Sequence, residues 1–459
     1  MFANPLPMEV GSLPSPAAKV AHPAAGISLV AGARLPLAFI GLGLVAFAVA
    51  NAVLALRPQI LLLPHVHPGV VALAHLWLPG FLLSVSMGAI YQLMPVVLGT
   101  ALRLPLTAAW AHFGAHAVGV ALLASGFALG KFEVVALGGC VVTAGVGVLL
   151  VGTWRTFLAS SRRDAIGWSF PLAVSWLAAT VLFGIVLALN RRNPFLPLSV
   201  MDLLRAHAHV GLGGFFLTLL QGATFQLVPM FTMADLRRPR WVRAGLALAQ
   251  AGLLVLTPGL ACGEPPAAIL GASLLAAGVG CSGVALVATF RSRRRRVLDA
   301  GLKAFALGAA LLGTASVTGV VLAIVRLPDE MTLTTAAAYG VALIAGALGF
   351  MIPGMLCKII PFLVWMKVYG PRAGRQPVPQ ATTLGSRGLE HAWIAAHAIA
   401  LVVVLAAVFT KSPDLAASGA ALLALSGLIF LSNVTRILRH LLRPETPVTA
   451  TPQATAIKA

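Results

Sequence analysis

Histidine is the residue type in this 459-residue chain best able to do chemistry. There are 11 histidines, against 12 carboxylates that lie mostly in polar loops and four isolated cysteines. His207 and His209 form an H-A-H triplet at the head of an apolar stretch that runs to Pro229. His75 heads a second such stretch that runs to Pro95. An imidazole inside hydrocarbon needs a partner, because an unpaired polar group there costs several kcal/mol. Few acids are at hand to supply an Asp–His or Glu–His pair, so ligation of a metal or a haem iron is the chemistry these rings suit. Residues two apart on a helix point about 200° away from each other. His207 and His209 therefore reach two sites, one on either side of their helix. His75, His207 and His209 are the candidate cofactor-binding residues, and no catalytic residue is identified.

Other histidines are weaker candidates. His112 and His116 are four apart and share a helix face, either as a metal pair or as an interfacial pair at the headgroups. His65 and His67 flank a proline-containing loop and could hold copper. His391 and His397 are six apart and share no face. The cysteines Cys140, Cys262, Cys281 and Cys357 form neither a CxxCH haem attachment nor a CxxC pair, and read as small apolar fillers. Haem b, in one or two copies, is the expected cofactor, with copper or non-haem iron as the alternatives.

The stretch that carries the triplet is one of three copies. With His209 as origin, Gly214, Gly222, Gln226 and Pro229 follow at offsets 5, 13, 17 and 20. From His75 the same offsets give Gly80, Gly88, Gln92 and Pro95. From Val341 they give Gly346, Gly354, Lys358 and Pro361. The origins are 134 and 132 residues apart. Such a period marks internal repeats. The third copy lacks the histidine, has lysine for glutamine, and has Tyr339 where the second has His207. The shared glycines allow close approach of a neighbouring helix or of a flat macrocycle. The prolines break the helical ladder, and Gln92, Gln226 and Lys358 could satisfy the carbonyls they free or line a polar path.

These copies sit in a chain that is 59% hydrophobic and 10% charged, the composition of a polytopic all-α membrane protein. Apolar spans are expected at 35–56, 70–97, 109–130, 133–154, 168–189, 206–232, 243–262, 266–289, 303–325, 335–365, 391–410 and 415–435. These twelve transmembrane helices form three pseudo-repeats of about four, at 33–165, 166–298 and 299–440. Residues 1–32 read as a flexible cytoplasmic arm and 441–459 as a disordered cytoplasmic tail. The net charge of +20 excludes no membrane reading and implies no nucleic acid, because it sits in short loops. If both termini are cytoplasmic, 24 basic residues fall inside, seven outside, and Lys358 within a span. That bias places the protein in a bacterial inner membrane with both ends in the cytoplasm. It also makes the run Arg293 to Arg296 a topology anchor. The three principal histidines then lie towards the outer face.

Here the residues resemble a family. Twelve spans in three pseudo-repeats, a histidine entering span 2, and an HxH helix are similar to subunit I of the haem–copper oxidase superfamily. That superfamily includes the cbb3-type oxidases and the nitric-oxide reductases. The run from His75 to Pro95, ending AIYQLMP, resembles its span-2 ligand helix. The run AHAHVGLGGFF to FQLVP resembles its HxH helix. The resemblance implies that His75 and His209 hold a low-spin haem and that His207 holds a second. It also implies electron transfer, or binding or reduction of oxygen or nitric oxide, fed by a periplasmic cytochrome or cupredoxin. The chain departs from the pattern in having HxH on span 6, no HH dipeptide for copper, no histidine on span 7, and no cross-linkable histidine–tyrosine match. A divergent haem protein outside oxygen reduction, like the membrane haem proteins of the nitric-oxide response, fits those departures. The rival expectation is a non-redox transporter or sensor whose histidines bind a transition metal or small ligand.

Overall fold

In lipid a backbone can satisfy its own polar groups only as a helix or a closed barrel. The long Ala-, Leu-, Val- and Gly-rich runs here take the first route. The computed structural model describes residues 33–325 and 328–444. The expected arm at 1–32 and the tail beyond 444 lie outside the described residues. Twelve helices are long and apolar enough to cross a membrane: α1 Arg34–Leu56, α2 Pro68–Leu98, α3 Leu106–Ala128, α4 Phe132–Ala159, α5 Ala165–Arg192, α6 Val200–Thr232, α7 Pro239–Ala261, α8 Pro265–Arg291, α9 Ala300–Ile324, α10 Glu330–Val368, α11 Arg387–Thr410 and α12 Pro413–Leu441. Among the described residues there is no strand. The chain is an all-α, multi-pass membrane protein.

The three motif helices are the inner ones. In α2, α6 and α10, 72%, 67% and 67% of the most apolar window is buried, against 11–50% in the other nine. The outer helices close a ring around them: α4 packs on α5, α8 on α9, and α12 on α1. Within each repeat the third and fourth helices form a tight antiparallel pair, α3 with α4, α7 with α8 and α11 with α12.

All three motif helices share a backbone irregularity. A π-helical segment begins one residue after each frame origin: Leu76–Leu83, Val210–Leu217 and Ala342–Leu348. The break is not where the sequence suggested. The helices run on through Pro95, Pro229 and Pro361, and the disturbance lies near the other end. A π turn loosens the local hydrogen-bond ladder and needs outside partners. In each repeat the third helix supplies one. His116 of α3 pairs through Nε2 with Ser84 Oγ at 2.8 Å, and Ser84 Oγ donates to the Pro79 carbonyl at 3.4 Å. Gln250 of α7 donates through Nε2 to Thr218 Oγ1 at 2.9 Å. His397 of α11 donates through Nε2 to the Ala345 carbonyl at 2.8 Å.

The frame glycines are used for helix packing. A Cβ on Gly88 would lie 2.7 Å from the Pro36 carbonyl of α1, and one on Gly354 would lie 2.7 Å from the Gly301 carbonyl of α9. Gly222 stands equally hard against Ser169 of α5. Each repeat thus seats its motif helix on its own first helix through the offset-13 glycine. Helix backbone, and not a macrocycle, occupies that approach.

The offset-17 residues anchor the opposite end of the bundle. Arg162 donates to Gln226 Oε1 at 2.9 Å, to the Val97 carbonyl at 2.9 Å, and to Asp164, which caps α5. Burial alone would raise the Asp164 carboxyl. The Arg162 hydrogen bond, the amides it caps and the Arg162 charge outweigh that and hold it below its ordinary range. In the third repeat Lys358 pairs with Asp299, which caps α9. The lysine inside a span therefore has a carboxylate partner.

Candidate functional site

The three principal histidines sit at one level near the same end of the inner bundle. His75 is seven residues into α2, His207 seven into α6 and His209 nine, which at 1.5 Å per residue is roughly 10–14 Å from each helix start. His75 Nδ1 donates to the Val71 carbonyl and His209 Nδ1 to the Arg205 carbonyl, both at 2.8 Å and both four residues back. A proton held on Nδ1 leaves Nε2 with its lone pair, the tautomer that binds a metal. These two origin positions therefore present equivalent, preoriented imidazoles.

The pair on α6 diverges as helix geometry requires. The His207 ring lies edge-on to Phe183 with centroids 6.0 Å apart, and its Cε1 lies against Gly184, where an added Cβ would be 3.2 Å away. His207 is within electrostatic reach of His75. Its Nδ1 is buried with no hydrogen-bond partner among the described residues. His209 turns the other way, towards α10, and stacks on Tyr339 with centroids 6.2 Å apart and planes 22° apart.

Origin and offset −2 positions pair off around the inner helices. His209 stacks on Tyr339, His75 lies within electrostatic reach of His207, and Val341 and Leu73 pack against one apolar cluster of Leu54, Ala400, Val404, Ala420 and Leu423.

The weaker candidates have other work. His112 and His116 are not at the headgroups. They are 0% and 1% exposed, beneath Phe39 of α1 and against α2. His112 Nδ1 pairs with the Tyr91 hydroxyl at 2.8 Å, and His116 steadies the π segment, as Gln250 does in the second repeat. The remaining nitrogens, His112 Nε2 and His116 Nδ1, are buried without a hydrogen bond among the described residues. His67 caps the start of α2 by accepting from the Gly69 amide at 3.1 Å. His65 lies nearby, and burial and then the charge of Arg205 hold its pKa below the ordinary histidine value. His391 is exposed on α11, bonded to the Arg387 carbonyl. His397 has both nitrogens engaged, with Ser426 and Ala345. Among the described residues no group of three or more His, Cys, Asp or Glu side chains could hold a metal ion. A haem needs only one or two protein ligands, because its macrocycle supplies four nitrogens.

The donor set fits such a group between His75 and His207: the first has its Nε2 freed and the second has an orphaned Nδ1. Sequence reasoning missed Gly184, which makes room beside His207, and the polar residues on the third helices. His116 and Gln250 share offset 41 from their origins, a signal present in the sequence but not read. No family model matches the chain, and no curated protein matches it.

Proposed function

We propose that this is a haem-binding integral membrane protein, a divergent relative of the haem–copper oxidase subunit I superfamily, acting in electron transfer or in the binding or reduction of oxygen or nitric oxide. The observation that carries the reading is the pair of matched imidazoles at His75 and His209, whose Nδ1 protons are already committed to backbone carbonyls, beside His207 with its buried, unpartnered Nδ1. His75 and His207 would hold one b-type haem. His209, stacked on Tyr339, would face a second. The resemblance assigned His209 to the first haem, and the electrostatic proximity of His75 and His207 favours the exchange. A bound haem would supply one-electron chemistry and a place for a diatomic gas.

The chain's own residues do the rest. The Val71 and Arg205 carbonyls fix ring orientation. Phe127, 4.5 Å from the His75 ring, and Phe183, beside His207, shield the two imidazoles from water. Tyr339 limits access to one face of His209. The placement of the site towards the outer face of a bacterial inner membrane, with a periplasmic cytochrome or cupredoxin as donor, follows from the distribution of basic residues and is part of this proposal.

A reduced-minus-oxidised absorption spectrum of the purified protein tests it. Soret and α bands are expected, diminished in His75→Ala and His207→Ala and altered separately in His209→Ala. A colourless protein that retains stoichiometric copper or zinc would overturn the proposal in favour of a non-redox metal transporter or sensor.

A further inference from the structure

The arginine-rich end of the bundle carries a groove that the histidine site leaves unused. It encloses about 970 Å³ and is open along one side. Arg237, Arg238 and Arg291 line its head, and Gly283, Val284, Val287 and Ala288 of α8 line its length. The frame that gathers these arginines is hydrogen-bonded. The Arg295 amide donates to the Thr232 carbonyl at 3.3 Å, and Ser292 Oγ donates to the Asp235 carbonyl at 3.4 Å. Together they tie the loop after α6 to the end of α8. Arg238 occupies the N-cap position of α7 with φ +57°, a left-handed conformation that non-glycine residues rarely adopt. The loop therefore holds a strained residue at the head of the groove.

The charges there are largely uncompensated. Asp235 lies 3.8 Å from Arg237, with both side chains more than half exposed. Among the described residues no ion pair engages Arg238 or Arg291. Below the arginines the wall is apolar and flat. A Cβ on Gly280 or Gly283 would meet nothing within 4 Å, and Val284 and Val287 are 41% and 50% exposed. A slot lined by Gly283, Val284, Val287 and Ala288, running along a helix from three guanidiniums, has the shape and polarity of a phospholipid.

We propose that this groove binds an anionic phospholipid. The phosphodiester sits among Arg237, Arg238 and Arg291, which offer planar multi-donor recognition of phosphate oxygens. One acyl chain lies in the slot over Gly283 and Val287. A free phosphate would use the head and leave the slot empty. A zwitterionic lipid would bring a choline cation among the arginines.

The test uses the full chain purified in a neutral detergent. Binding of phosphatidylglycerol, phosphatidylcholine and glycerol 1-phosphate is measured by native mass spectrometry. Phosphatidylglycerol is expected to bind as one retained lipid that resists delipidation, with phosphatidylcholine at least tenfold weaker and glycerol 1-phosphate not competing. Replacing Arg237, Arg238 and Arg291 together by Gln should weaken phosphatidylglycerol about 100-fold, the effect of three interfacial charges. The charge-matched control, with Arg103, Arg375 and Arg443 replaced by Gln, should bind as the parent does. Gly283→Leu should fold, because its side chain meets open space, and should lose the lipid with every arginine still present. Equal loss in the control would reduce the effect to net charge and overturn the proposal. So would undiminished binding in Gly283→Leu, or competition by glycerol 1-phosphate as strong as that by the lipid.

Discussion

The His75–His207 position and the Val341–Leu73 position are the same piece of architecture with different contents. Each pairs an origin position with an offset −2 position, and a π-helical segment starts one residue after each origin. Both rest on an offset-13 glycine packed against the first helix of the repeat. One carries two imidazoles within electrostatic reach of each other. The other carries Val341 and Leu73, which pack against a single apolar cluster. The third repeat is therefore an internal control. It keeps the glycines and the π segment without the imidazoles. Under the proposed reading, the imidazoles of the other two repeats are carried into the membrane for their chemistry.

The sharpest way to break that comparison is to write one position into the other. His75→Val combined with His207→Leu gives the first position the residue types of the second. The expected outcome is loss of the haem bands assigned to His75 and His207 by tenfold or more, with a melting temperature in detergent within a few degrees of the parent. Collapse of the fold would show that the histidines are structural. An unchanged spectrum would place the iron elsewhere, with His209 the first residue to examine.

The glycines should behave in the opposite way, with no difference between repeats. Gly88→Leu and Gly354→Leu each drive a side chain into a carbonyl oxygen of the neighbouring helix, the Pro36 carbonyl in one case and the Gly301 carbonyl in the other. Overpacking against backbone costs about 3 kcal/mol or more, because neither helix can yield without moving its partners. Both variants are expected to lower the unfolding midpoint similarly, as read by thermal melting. A large effect in the first repeat and none in the third would mean that the glycine serves the cofactor after all.

How much of this was legible in the sequence differs by feature. The twelve spans and the frame were visible, because hydropathy and fixed offsets are properties of residue order. The π segments were not. Pro79 lies within one of them, but Val210–Leu217 and Ala342–Leu348 contain no residue type that demands a π turn. The supporting residues were half visible: His116 and Gln250 share an offset, while His397 is displaced by the longer connection between α10 and α11. The placement of His112 and His116 was misjudged for a physical reason. Near the start of an apolar helix a histidine reads as interfacial, and nothing local reveals that Phe39 and Tyr91 cover it. The pairing of Lys358 with Asp299 was also hidden, since the two are 59 residues apart and the acid sits in a loop.

That pairing gives a third comparison, between the second and third repeats. At offset 17 the second repeat has a neutral glutamine served by Arg162, whereas the third has the cation itself. Lys358→Met strands the Asp299 carboxylate, which is 22% exposed and still has Arg295 at 3.5 Å. The remaining arginine moderates the penalty, so about 1–2 kcal/mol of destabilisation is expected, below the 3–5 kcal/mol of a fully buried broken pair. Lys358→Met with Asp299→Asn should recover most of it. Failure of the double variant to recover would give Lys358 a role beyond neutralising Asp299.

The smallest effect belongs to Asp164, the counterpart of Asp299 in the second repeat. Its side chain is 51% exposed, so its ion pair with Arg162 contributes little by itself and the cap on α5 contributes about 1 kcal/mol. Because the folded protein holds this carboxyl below its ordinary range, the folded state binds its proton less readily than the unfolded chain does. The stabilisation is then complete above the unfolded value of about 3.9 and disappears as pH falls through the lower folded value. Asp164→Asn keeps a capping side chain and removes the charge. It should leave the melting temperature at pH 7 lower by a degree or two and flatten its fall below pH 4. If the variant and the parent lose stability in parallel through that acid range, the second repeat does not rely on its charge as the third does. The two capping aspartates would then be alike in position but different in function.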